Sequence, residues 1–193
     1  MITETPQLEI WKSDFGKQWV ERNLPNIDIA ARARTFKKIL KGLDIFSVLE
    51  IGCSAGQNLD ALSGIAYARY GLDPMECIVG KDNGIHTRVG NIFDIPVKEP
   101  CFDLVMTCGT MMHVAPHDML KAVTEMRRAS KRYILTIEYY AEKDEAIPWR
   151  GYDNLLFKRD YAQWFPNLMS KGDLNNGSGF DHCTYWLFNK GNK

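Results

Sequence analysis

Hydrophobic positions in the first 42 residues recur at the spacing of amphipathic helices. Ser13 or Asp14 can cap a first helix, and Pro25-Asn26 would end it. A second helix is predicted from about residue 27 to residue 40 and ends at Gly42. The chain therefore begins with a helical segment of two elements.

Beyond residue 42, short apolar runs alternate with helical patterns, and each run ends on small or polar residues. The predicted strands are, in chain order, 46–51, 67–72, 86–89, 102–107, 133–139 and 183–188, and the predicted helices between them are 59–62 and 116–129. Strands that alternate with helices are typical of a parallel sheet. A Gly-Asn-rich stretch before the last strand predicts a terminal antiparallel hairpin.

Length and composition indicate one globular domain. The 193 residues are 45% hydrophobic and 25% charged, close to the average of globular proteins, and they show no repeat. A chain of this length builds a single sizeable core. We therefore expect one domain over residues 1–193, with a helical N-terminal lid at 1–42 and a Rossmann-like core at 43–193.

The net charge, the N-terminus and the cysteines exclude several classes of protein. A formal net charge of zero with scattered basic residues lacks the positive surface of a nucleic-acid binder. The chain has no basic start followed by an apolar run, and nowhere about 18 consecutive apolar residues, so neither export nor a membrane span is predicted. Five cysteines without a C-x-x-C pair indicate reduced thiols and hence a cytoplasmic protein.

The turn after the first predicted strand is a candidate ligand site, because ligands of open parallel sheets bind beyond the carboxyl ends of the strands. Gly52-Cys53-Ser54-Ala55-Gly56 places two glycines four residues apart, ahead of a helix that contains Asn58. This spacing lets the backbone approach a ligand and aim helix N–H groups at it. The same glycines can instead serve only the packing of the turn.

Glu50, at the end of that strand, decides which ligand fits the turn. Its carboxylate would repel the pyrophosphate of a dinucleotide, and the G-x-G-x-x-G fingerprint of such a site is missing. A ligand with an ammonium group fits better. S-adenosylmethionine carries an ammonium next to a carboxylate, and Glu50 and the N–H groups of the turn can bind these separately. The sequence therefore predicts an S-adenosylmethionine site, with S-adenosylhomocysteine as the product.

The ends of the next two strands supply residues for the rest of that cofactor. Asp73, in Asp73-Pro74, lies 23 residues after the first acid, where a carboxylate can accept both ribose hydroxyls. An ordinary Asp-Pro turn is the alternative. Asn91 can hydrogen-bond the adenine amino group, while Ile92 or Phe93 packs on the ring.

Two further regions would enclose the cofactor. Thr107 and Cys108 end the fourth strand opposite the glycine turn and would line the cofactor channel with backbone atoms, unless they only lead into the next helix. In the N-terminal segment, Trp19, Arg22 and Asn23 share a helical face, so Arg22 can reach the methionine carboxylate from a lid. An amphipathic helix with a solvated Arg22 is the alternative.

Several segments resemble the ordered motifs of class I S-adenosylmethionine-dependent methyltransferases, namely Glu50-x-Gly52-x-x-x-Gly56, Asp73, Gly90-Asn91 and Phe102-Asp103-Leu104-Val105. A narrower resemblance, to the pseudaminic acid biosynthesis-associated methylases, spans nearly the whole chain. It rests on Trp11-x-x-Asp14-Phe15-Gly16, Arg22-Asn23, Glu138-Tyr139-Tyr140, Ile147-Pro148-x-Arg150-Gly151, Leu156-Phe157-Lys158-Arg159-Asp160 and Asp181-x-x-Thr184-x-Trp186. Asn91 and residues 175–179 depart from that pattern. The resemblance implies an α/β, Rossmann-like fold with a mostly parallel seven-stranded sheet, and a role in a sugar pathway.

Two candidates for a general base follow the fourth and fifth strands. His113 has an ordinary pKa near neutrality, and Glu138 would face the transferred methyl group. Either can instead be a structural residue. His113 also forms H-x-x-x-H with His117, but Pro116 lies between them and no third ligand is evident, so no metal is predicted.

Five residues are candidates for binding the acceptor. Tyr139 and Tyr140 end the fifth strand and would form walls of the acceptor site. Trp149, Arg150 and Tyr152 lie in the long connection after it, where an arginine fork and aromatic rings can hold a carboxylated or hydroxylated molecule. Packing at the strand end and an ordinary surface loop are the alternatives.

These residues and the resemblance together predict a methyltransferase that acts on a hydroxyl or amine of a small polar metabolite, namely a nonulosonic-acid-type or amino sugar. We expect a monomer or homodimer without nucleic-acid or membrane partners. The alternative from another class is a non-catalytic S-adenosylmethionine-binding protein with a regulatory or assembly role. A nucleotide-sugar or nicotinamide enzyme on a similar sheet would need phosphate contacts that Glu50 disfavours.

Overall fold

A computed structural model describes residues 4–76, 84–175 and 177–191, so that Cys77 and the first three residues lie outside the described residues. The helices are α1 (Pro6–Lys12), α2 (Asp14–Asn23), α3 (Ile29–Ile39), α4 (Gln57–Ala61) and α5 (Met119–Ala129). The strands are β1 (Ser47–Ile51), β2 (Ala68–Asp73), β3 (Ile85–Val89), β4 (Phe102–Cys108), β5 (Ser130–Glu138), β6 (Glu145–Trp149), β7 (Tyr152–Lys158), β8 (Leu168–Leu174) and β9 (Cys183–Asn189). Within the described residues, no helix is long and apolar enough to cross a membrane.

Seven strands form one sheet in the order β3-β2-β1-β4-β5-β9-β8. The first five are parallel, and β9 pairs antiparallel with both β5 and β8. The predicted fold class is therefore confirmed, including the terminal antiparallel hairpin. The strand order reverses between β1 and β4, and an open parallel sheet binds its ligands at such a point.

Both faces of the sheet are covered, which explains why β1 is buried at every position. On one face, Phe36 of α3 and Leu59 of α4 belong to a cluster with Leu135 of β5. On the other face, Met126 of α5 belongs to a cluster with Trp186 of β9. Helices on both sides of the sheet thus leave its carboxyl edge as the place for a cleft.

The N-terminal segment contains one helix more than the sequence pattern predicts. The side chain of Thr5 accepts a hydrogen bond from the Leu8 amide and caps α1. Ser13 then ends α1 and caps α2, as expected, and Asp28 caps α3. Because α1 has only seven residues, it is too short to show a helical period of its own.

A second hairpin, β6 and β7, forms within the long connection that the sequence predicts after β5. The two strands form a separate antiparallel sheet in which Trp149 pairs with Tyr152. The two residues between them, Arg150 and Gly151, have positive φ of 51° and 86°, as in a type I′ turn. Arginine is uncommon in that conformation, and Pro148 weakens the strand pattern, so the sequence signals for a hairpin are absent here.

Gly16 permits the close packing of α2 against α1, and we predict that its replacement destabilises the protein. A Cβ on Gly16 would lie 1.9 Å from the Trp11 carbonyl oxygen and 2.7 Å from Met75 Sδ, whereas a Cβ on Gly64 meets nothing within 4 Å. Gly16→Ala should lower the free energy of unfolding by about 1–3 kcal/mol. Gly64→Ala should change it by less than about 0.5 kcal/mol. Urea denaturation of both variants measures the difference, and equal effects would contradict the packing argument.

Candidate functional site

A cleft of about 520 Å³ lies at the carboxyl ends of β1 to β5, beneath the N-terminal helices. Its walls come from the segments that follow five parallel strands, as the sheet topology requires. Most of the predicted site residues line it: Trp19, Gly52, Cys53, Ser54, Asn58, Asp73, Pro74, Asn91, Ile92, Phe93, Cys108, His113, Tyr139, Trp149 and Arg150. The others, Arg22, Glu50, Gly56, Thr107, Glu138, Tyr140 and Tyr152, do not line it.

The glycine turn after β1 requires both of its glycines. Gly52 has φ of 73°, and a Cβ there would lie 2.1 Å from Thr110 Oγ1. Gly56 has φ of 83° and begins α4. The prediction that N–H groups of this turn are free for a ligand is wrong at four positions, because they are already bound within the protein. These are the amides of Gly52, Cys53, Ser54 and Gly56.

Glu50 is fully buried behind the cleft wall. Its Oε1 accepts a hydrogen bond of 2.6 Å from Asn58 Nδ2, while no partner for Oε2 is found within the described part of the chain. Burial raises the pKa of Glu50 to about 8. Asn58 Oδ1 in turn accepts a hydrogen bond of 2.8 Å from Arg32 Nη1, so an arginine and a carboxylate are joined through one amide.

Arg32, on α3, lies where the sequence placed Arg22. Arg32 lines the cleft, and its Nε donates to the Gly179 carbonyl at 2.9 Å. Arg22 is exposed and lies away from the cleft, because α2 turns Gly16 and Val20 inward. The expected placement of Arg22 is therefore wrong. No sequence signal distinguishes Arg32 from the other basic residues of α3.

Asp73 and Asn91 stand at the ends of β2 and β3 and both line the cleft. The two carboxylate oxygens of Asp73 accept hydrogen bonds from the amides of Ser54 (2.8 Å) and Met75 (3.0 Å). Burial raises the pKa of Asp73, and these two bonds oppose the rise. Asn91 Oδ1 accepts the Phe93 amide at 2.8 Å, so one lone pair of that oxygen is left for a ligand.

His113 lies between two tryptophans at the wall of the cleft. Its ring centroid is 4.8 Å from that of Trp11 and 5.5 Å from that of Trp149. Its Nδ1 lies 2.6 Å from the Leu155 carbonyl oxygen. A carbonyl only accepts, so Nδ1 carries the hydrogen and Nε2 is left with a lone pair. Burial lowers the pKa of His113 to about 4, and the imidazole is neutral near pH 7.

Glu138 was expected to be a base, and its geometry contradicts that role. The side chain is fully buried, and its oxygens accept hydrogen bonds from the amides of Thr110, Met111 and Met112 at 3.1–3.2 Å. Burial raises the pKa of Glu138 to about 7, against the effect of these bonds. Thr107, beside it at the end of β4, is also fully buried and does not reach the cleft.

The predicted acceptor residues divide between the cleft and its surroundings. Tyr139, Trp149 and Arg150 line the cleft. Tyr140 is 39% exposed and packs outside, under Lys171 Nζ. Tyr152 supports the cleft indirectly, because its ring lies 5.4 Å from that of Phe15 of α2. No group of three or more His, Cys, Asp or Glu side chains that could hold a metal is found in the described ranges.

Comparison with known proteins gives one sequence family and one curated relative. Residues 49–133 match the methyltransferase domain family. An uncharacterized methyltransferase of Staphylococcus carnosus is 27% identical over 135 residues, which are 63% of this chain and 65% of that protein. The match thus spans slightly less than two thirds of the relative's length.

Solved structures share the fold at low sequence identity. A 1,6-didemethyltoxoflavin-N1-methyltransferase from Burkholderia thailandensis, solved with 1,6-didemethyltoxoflavin and S-adenosylhomocysteine, has a TM-score of 0.74 at 11% identity, covering 100% of this chain and 93% of that one. An S-adenosylmethionine-dependent methyltransferase from Thermotoga maritima has a TM-score of 0.68 at 16% identity, covering 96% and 100%. The sequence match is thus to methyltransferases, and the solved structures share the Rossmann-like fold of the chain.

Proposed function

We propose that this chain transfers the methyl group of S-adenosylmethionine to a hydroxyl or amine of a small polar metabolite, namely a nonulosonic-acid-type or amino sugar. The observation that carries the cofactor part is the pair of buried acids, Glu50 and Asp73, at the carboxyl ends of adjacent strands. The sugar part rests on the resemblance of several segments to the pseudaminic acid biosynthesis-associated methylases. Cytoplasmic location and a monomeric or homodimeric state stay predictions.

The residues at the cleft fit each part of the cofactor. Behind the cleft wall, Glu50 Oε2 is buried without a partner among the described residues and suits the ammonium group, and at the cleft Arg32 suits the carboxylate. Asp73 would hold the ribose hydroxyls, and Asn91 with Phe93 the adenine. When bound, S-adenosylmethionine supplies an activated methyl group on a sulfonium.

The acceptor would lie between His113 and the β6–β7 turn. Trp149 offers a ring face, and the Arg150 guanidinium lies 5.1 Å from that ring. The ion pairs of the described residues include none to Arg150, so its charge is available to an anionic acceptor. Its left-handed φ of 51° costs about 1 kcal/mol or more, and such strain is concentrated at functional sites.

Positioning supplies most of the catalysis in this proposal. Holding donor and acceptor in line contributes on the order of 7–11 kcal/mol. A hydroxyl acceptor also loses a proton, and His113 Nε2 has the lone pair to receive it. A positioned base contributes about 10²–10⁴-fold, and the low pKa of His113 places it at the weak end. A neutral amine attacks without a base.

Asp73→Asn tests the cofactor site. An amide there places a donor against the amide of Ser54 or Met75 and removes the charge that would accept the ribose hydroxyls. We expect the Kd for S-adenosylmethionine to rise about 10- to 100-fold by calorimetry. Asp160→Asn is the control, because Asp160 also accepts a backbone amide, from Ala162, but does not line the cleft. Equal Kd values for both variants would contradict the assignment.

Incubation with S-adenosylmethionine and a panel of nonulosonic acids and amino sugars tests the activity. We expect a methylated acceptor and S-adenosylhomocysteine by mass spectrometry, and His113→Gln to lower kcat by about 10²-fold for a hydroxyl acceptor only. Binding of S-adenosylmethionine without turnover of any acceptor would favour the non-catalytic alternative. Failure to bind it would overturn the proposal altogether.

The dependence of stability on pH tests the neutral, half-buried imidazole of His113. The pKa of His113 is about 4 in the folded protein against the ordinary value of 6.5 for a histidine, so the unfolded chain takes up this proton first as the pH falls. The contribution of His113 to stability is therefore present above pH 6.5 and is lost toward pH 4. Between pH 6.5 and pH 4, the free energy of unfolding of His113→Gln, measured with urea, should fall by up to about 3 kcal/mol less than that of the wild type. His117→Gln, a change at an exposed histidine, should keep the wild-type dependence of stability on pH. The same pH dependence in both variants would sink the idea.

A further inference from the structure

We infer that Glu138 is a positioning residue, which fixes His113 in the cleft by binding three successive backbone amides of the loop after β4. The inference rests on the proposed role of His113 as the group that receives the acceptor proton. It assigns a function to a buried acid that the cofactor and acceptor sites leave unused.

The hydrogen bonds of Glu138 account for both of its oxygens. Oε1 accepts the amides of Thr110 (3.2 Å) and Met111 (3.1 Å), and Oε2 accepts the amide of Met112 (3.1 Å). Thr110 lies beside Gly52 of the cofactor turn. Three donors on one fully buried carboxylate define the path of the backbone more narrowly than a single bond does.

The bound loop leads directly into the histidine. Residues 111–113 form a short 3-10 helix, in which the His113 amide donates to the Thr110 carbonyl at 3.0 Å. The amides at the start of such a helix have no partner within the helix, and Glu138 accepts their hydrogen bonds. Glu138 therefore caps this helix. The capping side chain comes from the end of β5 in the sheet, not from the loop that contains the helix.

Two further contacts hold the same loop from the opposite side. His113 Nδ1 donates to the carbonyl of Leu155 on β7, and Arg159 Nη2 donates to the Val114 carbonyl at 3.1 Å. Glu138 of the sheet thus binds the amides of the loop. Leu155 of β7 binds the His113 imidazole, and Arg159, after β7, binds the Val114 carbonyl. With the sheet contact removed, the loop is held from one side only, and the ring loses its fixed place between Trp11 and Trp149.

The nature of the bonds explains why an acid is required at position 138. A glutamine retains one oxygen, which can accept two of the three amides. Its NH2 group would stand where Oε2 accepts the Met112 amide, so that a donor meets a donor. Glu138→Gln therefore changes a single heavy atom and selectively disturbs the loop.

The experiment measures the pKa and tautomer of His113 by NMR of the ring in Glu138→Gln, without any ligand. We expect the pKa to rise from about 4 toward 6.5 and the fixed Nδ1–H tautomer to be lost, because the ring leaves its enclosed position. Trp11, Trp149 and the Leu155 carbonyl surround the ring, and the ion pairs of the described ranges include none to His113. For a hydroxyl acceptor, kcat should fall at least about tenfold, with a changed pH profile.

Asp103→Asn is the matched control. Asp103 Oδ2 also accepts several hydrogen bonds, from the amides of Phe46 and Ser47 and from the Ser47 hydroxyl, but at the amino end of β4, away from the cleft. This variant should lose hydrogen bonds of the same kind and keep the wild-type pKa and tautomer of His113.

Unchanged His113 titration in a folded Glu138→Gln protein would overturn the inference and leave Glu138 a purely structural residue. If that variant does not fold, Glu138→Asp is measured instead, since it keeps the charge but falls one methylene short. In Glu138→Asp, the pKa of His113 should lie between the wild-type value and that of an exposed histidine. A wild-type value would again overturn the inference. The NMR readout needs no methyl transfer, so failure of the proposed function is distinguishable from failure of this inference.

Discussion

The parallel pairing of β1 with both β2 and β4 is the constraint on which the rest of the structure depends. Val48 pairs with Arg69 on one side and Leu104 on the other, so three strands end together at one edge. The segments that line the candidate site follow these strands. The glycine turn, Asp73 and the loop after β4 face one cleft because the sheet order changes direction there.

The fold was predictable from the sequence because its strands are short apolar runs that end on distinctive residues. The ends of β1 to β4 are marked in the sequence in this way, and they supply most of the residues that line the cleft. Two elements have no local sequence pattern that predicts them. The hairpin of β6 and β7 turns on Arg150, which is not a usual turn residue, and α1 is too short to have a period.

The sequence predicts which side chains stand at the ends of strands, but not which partners they contact there. The position of Glu138 at the end of β5 was predicted, but its three amide partners come from another loop, and no spacing in the sequence reveals them. The exchange of Arg22 for Arg32 has the same cause, because the inward face of α2 is set by Gly16 and its contact with Trp11. Tertiary packing, not local pattern, decides which of several similar residues reaches the cleft.

The β6–β7 hairpin has a consequence for how such a protein can diversify. It forms its own two-stranded sheet, outside the hydrogen-bonded order of the seven strands. It is joined to the cleft through side chains, such as the rings of Trp149 and Phe15 with centroids 5.9 Å apart, and through the His113–Leu155 bond. Its turn can therefore change in length or sequence without breaking a ladder of the main sheet. Under the proposed function, the hairpin that contacts the acceptor could therefore vary while the segments proposed to hold the cofactor stay the same.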